Sequence, residues 1–265
     1  MSVVRRHRVL VFFLLACALS WGGIPWNSFF APGVLVAALL VVSLTEGVAG
    51  LKAMGMRLIR WRVSWVWYAL ALAVPLGVTF AAIALNTGLG APAPDIVEFS
   101  VWYSVPMAIA INIVNPTYAQ LPEESSFRGW AQPTLQATRT PLAATVLMAI
   151  GVTIWHGPLF LMPQFGLAPI EAVTTMAVTF WYAWLFNHAS GSSLLTLIAH
   201  AAEGAIETST LWPTAVDQAR MPWIHTSVWC AVVLGLLVFN RGFWTRPPAP
   251  TNDPTLVETK AESEV

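Results

Sequence analysis

Charge is scarce in this chain. Asp, Glu, Lys and Arg make up 10% of its 265 residues, against roughly 25% in soluble domains. So few charges leave too little polar surface for a water-soluble fold. What charge exists is balanced, 13 basic against 13 acidic residues. No basic face is left to neutralise phosphates, and a nucleic-acid partner is excluded. Cysteine is almost missing: Cys17 and Cys230 each lie in an apolar run, where they read as small packing residues and not as a disulfide or metal pair. Three catalytic signatures are absent as well. There is no H-E-x-x-H of a zincin, no G-x-S-x-G, and no glycine-rich phosphate loop. Ser190-Gly191-Ser192-Ser193 imitates a serine nucleophile motif, but such small residues at a span start fit a turn or helix cap better.

In place of charge stand long hydrophobic runs. The chain is 57% hydrophobic and holds 14 Trp and 19 Pro, a composition suited to a bilayer, where Trp anchors at interfaces and Pro is tolerated within spans. About 20 apolar residues cross a bilayer, and runs of that kind occur near 9–26, 29–45, 64–86, 101–121, 141–163, 168–187, 192–211 and 223–243. The expected fold is all-α: a polytopic membrane bundle of about eight transmembrane helices with an interior polar site, forming one domain over 1–245. Arg5, Arg6 and Arg8 ahead of the first run imitate a signal peptide, but a second run follows at once, and a first transmembrane helix is the reading adopted. Residues 246–265 are Pro-rich and polar and are expected to form a disordered cytoplasmic tail. If eight spans alternate, Arg5, Arg6, Arg8, Lys52, Arg57, Arg60, Arg62, Arg128, Arg139, Arg241 and Arg246 all fall on one side. That asymmetry predicts cytoplasmic termini.

Three polar clusters interrupt the runs. The first is Glu123-Glu124-x-x-x-Arg128. Charged groups at membrane depth cost about 2.5–3.5 kcal/mol each, so by default they mark function. On a helix Glu124 and Arg128 are i,i+4 neighbours and can pair, while Glu123 projects about 100° away and stays available. The second is Trp155-His156-Gly157-Pro158; the third is His200-Ala201-Ala202-Glu203, within an apolar run. Thr196, His200, Glu203 and Glu207 recur at helical spacing, predicting one polar stripe that faces the bundle interior. His188 and His225 read as interfacial. The span carrying the glutamates is expected to continue past Pro122, kinked there, so that Glu123 reaches the depth of His200.

In this order and spacing, the three clusters resemble the CPBP family: the type II CAAX prenyl endopeptidases and bacteriocin-processing or immunity proteins, also called the Abi family. Glu123, Glu124, Arg128 and Gly129 match its Glu-Glu-x-x-x-Arg motif. His156 matches the second motif, with Val152 where Phe is usual. His200 matches the third, His-x-x-x-Asn, with Gly204 in place of Asn. Arg60-Trp61-Arg62 and Gly191-Ser192 are similar to the family too. The resemblance implies an intramembrane endopeptidase of the glutamic type that hydrolyses a peptide bond near the cytoplasmic leaflet. Glu123, Glu124, His156 and His200 would be catalytic and Arg128 and Glu203 supporting. Glu123 would polarise the attacking water, with the histidines positioning it or stabilising the oxyanion. No metal or other cofactor is implied. The partners would be the lipid bilayer and a peptide or membrane-anchored protein, and the setting the plasma membrane of a bacterium.

Gly204 has no donor to offer, and loss of one oxyanion donor costs about 10²–10³ in rate. Glu203 could substitute when protonated or by orienting His200 from i+3; Thr208 or Ser209 could donate instead. Three other readings stay open: an inactive family member acting as an immunity factor or scaffold, a proton-coupled transporter, and a zinc enzyme with His156, His200 and a glutamate as ligands. The residues alone do not give the oligomeric state.

Overall fold

The computed structural model describes residues 2–94, 103–208, 211–212 and 214–248. Among the described residues there are helices and connecting turns, and no strand. This is what lipid demands, since a helix satisfies its backbone polar groups internally. We number the helices that matter for the site as follows: α1 (Arg8–Trp21), α2 (Gly33–Thr45), α3 (Gly47–Leu58), α4 (Trp65–Gly88), α5 (Ser104–Val114), α6 (Gln120–Ser126), α7 (Pro141–Trp155), α8 (Glu171–His188), α9 (Ser193–Glu203) and α10 (Ala215–Phe239). Local chemistry sets several starts. Thr140 accepts a hydrogen bond from the Ala143 amide ahead of α7, whose first residue is Pro141. Ser192 accepts one from Leu195 at the start of α9. The turn before it has positive φ at Ser190 and Gly191, so the Ser-Gly-Ser-Ser stretch is a turn and cap.

Three segments, Arg8–Trp26, α4 and α10, are long and apolar enough to cross a membrane, at 19, 24 and 25 residues. The other expected spans are shorter. Helices α2, α5 and α7 have 13, 11 and 15 residues, about 16–22 Å at 1.5 Å per residue against a hydrocarbon core of about 30 Å. The outward faces are apolar, with Leu10, Leu14, Leu40, Phe80, Leu85, Ile150, Leu234 and Val238 exposed. Charge is instead drawn inside: Glu123, Glu124 and Arg128 are all buried.

The span expected at 101–121 is broken, and the break is not at Pro122. Helix α5 stops at Val114, and Asn115 is extended, with φ −81° and ψ 110°. Pro116 explains this, since a following proline drives its predecessor out of the helical region. The Asn115 side chain then accepts from the Thr117 amide at 3.0 Å and its hydroxyl at 2.7 Å, closing a turn. Pro122 sits in the first turn of α6, where its missing N–H is not needed. From α6 the chain runs into a π-helical turn, Phe127–Ala131, and then a last helical turn, Gln132–Gln136. Residues 101 and 102, and the tail from 249 onward, lie outside the described residues.

Two hydrophobic clusters flank this helix. One joins α1, α2, α3, the π turn and α7 through Phe12, Ala16, Val34, Ala37, Met54, Phe127, Trp130, Met148 and Trp155. The other joins α4, α8, α9 and α10 through Ala71, Val78, Trp181, Leu185, Leu195, Ala199, Trp229 and Val233. Packing between α1 and α2 is close at Gly33, where an added Cβ would lie 2.8 Å from Ser20 Oγ and 3.0 Å from the Ser20 nitrogen. Backbone cannot yield there. Gly33→Ala is therefore expected to destabilise the protein by about 1–3 kcal/mol, read as a lower melting temperature in detergent. Gly77→Ala, whose Cβ would meet nothing, is the neutral comparison.

Candidate active site

The first motif lies on α6 and the turn after it. One helical turn separates Glu124 from Arg128, and the expected pair forms: Arg128 Nη1 donates to Glu124 Oε1 at 3.0 Å, both side chains being almost fully buried. Glu123, one residue back, is 2% exposed and turns away from that pair toward α7. Its Oε1 lies 3.8 Å from His156 Nε2, beyond direct hydrogen-bond reach.

His156 closes α7. Its Nδ1 lies 2.9 Å from the Val152 carbonyl and donates to it, which leaves Nε2 as the nitrogen facing Glu123. The backbone does this work, so Val152 serves as well as the usual Phe. The ring is fixed further by Trp155, edge-on at 4.7 Å, and by Phe160, stacked at 6.0 Å. Trp155 itself is tied down, donating to Ser20 Oγ at 2.9 Å while its carbonyl accepts from Trp21 at 2.9 Å.

His200, on α9, meets the other carboxylate. Its Nδ1 lies 3.2 Å from Glu124 Oε1 and donates to it, so Nε2 is again the free nitrogen. Both imidazoles are thus anchored through Nδ1, one by a carbonyl and one by a carboxylate, and each keeps Nε2 for another partner. Glu123, Arg128, Val152, His156, Thr175, Val178, Thr179, Tyr182 and His200 line one cavity of about 70 Å³. A water needs about 10–15 Å³ on this measure. Buried polar atoms without a hydrogen-bond partner gather here: Glu123 Oε1, Glu124 Oε2, Arg128 Nε and Nη2, and the Tyr182 hydroxyl. Unpaired buried polar atoms are costly in a fold, and such a cluster marks a place built for a polar occupant. A larger, open depression of about 540 Å³ bordered by Gln136, Arg139, Asn187 and Arg246 has no carboxylate or imidazole in its wall, so size does not decide where the chemistry lies.

Glu203 departs from the expectation that it serves His200. Helix α9 ends at this residue, and its Oε1 instead accepts from Trp229 Nε1 at 2.8 Å and lies 3.3 Å from His225 Nε2 on α10. His225, expected at an interface, belongs to this second polar contact. Glu207 falls beyond the helix, so the expected stripe stops at Glu203. Gly204 caps α9, and the Asn112 amide of α5 donates to the carbonyls of Ala201 and Gly204 at 3.2 Å each. A Cβ at Gly204 would lie 3.2 Å from Gln120 Nε2 and 3.5 Å from Asn112 Nδ2. The room that a motif Asn would use is held by amides from α5 and α6. Thr208 follows the end of α9, and Ser209 lies outside the described residues.

Among the described residues, no group of three or more His, Cys, Asp and Glu is placed to hold a metal ion. His156 reaches Glu123 and His200 reaches Glu124, which puts the histidines on different carboxylates. The remaining family-like segments meet each other: Arg60 donates to the Ser190 carbonyl at 2.6 Å, and Ser192 Oγ donates to the Arg60 carbonyl at 2.7 Å. Tyr182, in the wall of the same cavity, belongs to none of the three motifs. A search of curated proteins returns no match. Residues 101–206, which carry all three motifs and the whole glutamate–histidine cluster, match the model of the type II CAAX prenyl endopeptidase Rce1-like family.

Proposed function

We propose that this chain is an intramembrane endopeptidase in which Glu123 activates a water held against His156. The observation that carries the reading is the single cavity walled by Glu123, His156 and His200, with both imidazoles pinned at Nδ1. A water between Glu123 and His156 Nε2 would give its proton to the carboxylate as its oxygen bonds to the peptide carbonyl carbon. The carbonyl π pair moves onto oxygen, where Arg128 supplies positive charge and His200, in its doubly protonated form, supplies an Nε2–H while Nδ1–H stays on Glu124. Collapse restores the C=O bond and breaks C–N, and the departing nitrogen takes the proton back from Glu123. Glu124 acts by position, holding Arg128 and His200 together. Desolvation inside the bundle strengthens each of these interactions. The bond cut would lie near the cytoplasmic leaflet, in a membrane-anchored peptide, and the matched family makes a prenylated C-terminal peptide the first substrate to try.

The test is hydrolysis by the purified chain in proteoliposomes, using prenylated and unprenylated forms of one peptide. Turnover that disappears in Glu123→Gln supports the reading. A wild-type chain without turnover on either peptide, or a Glu123→Gln variant that still cuts, would count against it. Turnover is also expected to survive EDTA and 1,10-phenanthroline with less than a twofold change; loss on chelation and recovery with zinc would favour the metal reading instead.

A further inference from the structure

The missing Asn leaves the oxyanion one donor short, and the cavity holds a candidate that no motif contains. We propose that Tyr182 is a catalytic residue whose hydroxyl donates the hydrogen bond that the amide at position 204 would have given. This rests on the hydrolytic reading above. Tyr182, on α8, is 2% exposed and shares the cavity wall with Glu123, His156 and His200. Its hydroxyl is buried and has no hydrogen-bond partner. Burying an unpaired hydroxyl weakens the resting fold, which makes sense only if the group gains a partner during use. The ring is held in place, tilted against His200 with centroids 5.4 Å apart and with the Arg128 guanidinium carbon 5.0 Å from its centre. A donor so fixed needs no reorganisation when charge develops.

Other donors are less free. Thr179 in the same wall gives its hydroxyl proton to the Thr175 carbonyl at 2.8 Å. Arg128, tied to Glu124 through Nη1, keeps Nε and Nη2 unpartnered and already serves the oxyanion in the mechanism above, so the donor still to be supplied is a further one. Gln120 and Asn112 fill the space at Gly204 but are not among the residues that line the cavity. The phenol keeps its proton throughout: it donates a hydrogen bond as the carbonyl oxygen gains charge, and releases it when the C–N bond breaks.

Tyr182→Phe removes the hydroxyl and keeps the ring. It is expected to lower kcat by about 10²–10³-fold, with KM within a factor of three and the melting temperature unchanged or raised. Adding Gly204→Asn to that variant is expected to recover at least tenfold of the loss. The backbone at Gly204 has φ −87°, suited to any residue, and the nearest obstacle is the tip of the Gln120 side chain. A Tyr182→Phe variant with full kcat, beside an inactive Glu123→Gln, overturns the assignment and leaves hydrolysis standing. So does a loss of kcat that comes with a lower melting temperature, since that is a packing role. Retained turnover in Glu123→Gln, or none in the wild type, counts instead against hydrolysis itself.

Discussion

Glu123→Gln is expected to reduce turnover by about 10²–10⁴-fold, the usual contribution of a positioned general base. The substitution preserves shape and a hydrogen-bonding oxygen but removes the charge that would accept the water's proton. Substrate affinity should change little, because Glu123 touches the substrate only through that water, so the loss falls on kcat. Folding should survive. Glu123 Oε1 has no hydrogen-bond partner, and an amide buried there is no worse off than an unpaired carboxylate. The measurement is single-turnover cleavage beside a melting curve on the same preparation. A scaffold or immunity factor that keeps the cluster only for cohesion would show no change in its function with this variant.

Arg128→Met is expected to produce the largest loss of stability, about 3–5 kcal/mol, because it leaves Glu124 charged and buried without its guanidinium. His200 Nδ1, at 3.2 Å, then remains beside Glu124, but as a weaker counter-charge than the guanidinium. Replacing both ends of the pair together, Glu124→Leu with Arg128→Met, should return most of that stability, since an apolar pair of similar volume avoids the desolvation cost. Turnover should not return, because His200 loses the carboxylate that anchors its Nδ1. Equilibrium unfolding of the single and double variants, set beside their cleavage rates, checks both statements. A double variant as unstable as Arg128→Met would show that the pair contributes through packing and not through charge balance.

Much of the site was legible because helical spacing is arithmetic. Four residues join Glu124 to Arg128, and a rotation of about 100° sends Glu123 elsewhere; in the structure Arg128 pairs with Glu124 and Glu123 faces His156. Which histidine each glutamate meets was not legible, since that depends on how α7 and α9 sit against α6. The break at Asn115-Pro116 could have been read, because an Asn before a Pro is a turn signal. Pro122, where the kink is expected, does not break the helix, because it lies in a first turn. Tyr182 was hidden in the aromatic run Phe180-Trp181-Tyr182, where packing is the ordinary explanation. The chain has 4 Tyr against 14 Trp and 13 Phe, so a hydroxyl in that run was itself a hint. Short helices escaped for a different reason: hydropathy sums apolar residues across breaks, and so 104–114 and the turn behind it merged into one expected span.

The π turn at Phe127–Ala131 sets a frame. It takes more residues per turn than an α-helix, so the helix after it starts from a shifted phase. Before that shift Glu123 and Glu124 face the histidines; at its end Trp130 reaches Glu46 at 2.8 Å, and just after it Gln132 reaches Thr145 at 3.3 Å. Removing one residue would let the segment regularise, yet it would turn the two sides about 100° relative to each other. The chain could then seat its glutamates or its Trp130 and Gln132 anchors, but not both. The motif's spacing is therefore a reading frame for two partner surfaces, and length is constrained there as tightly as residue identity.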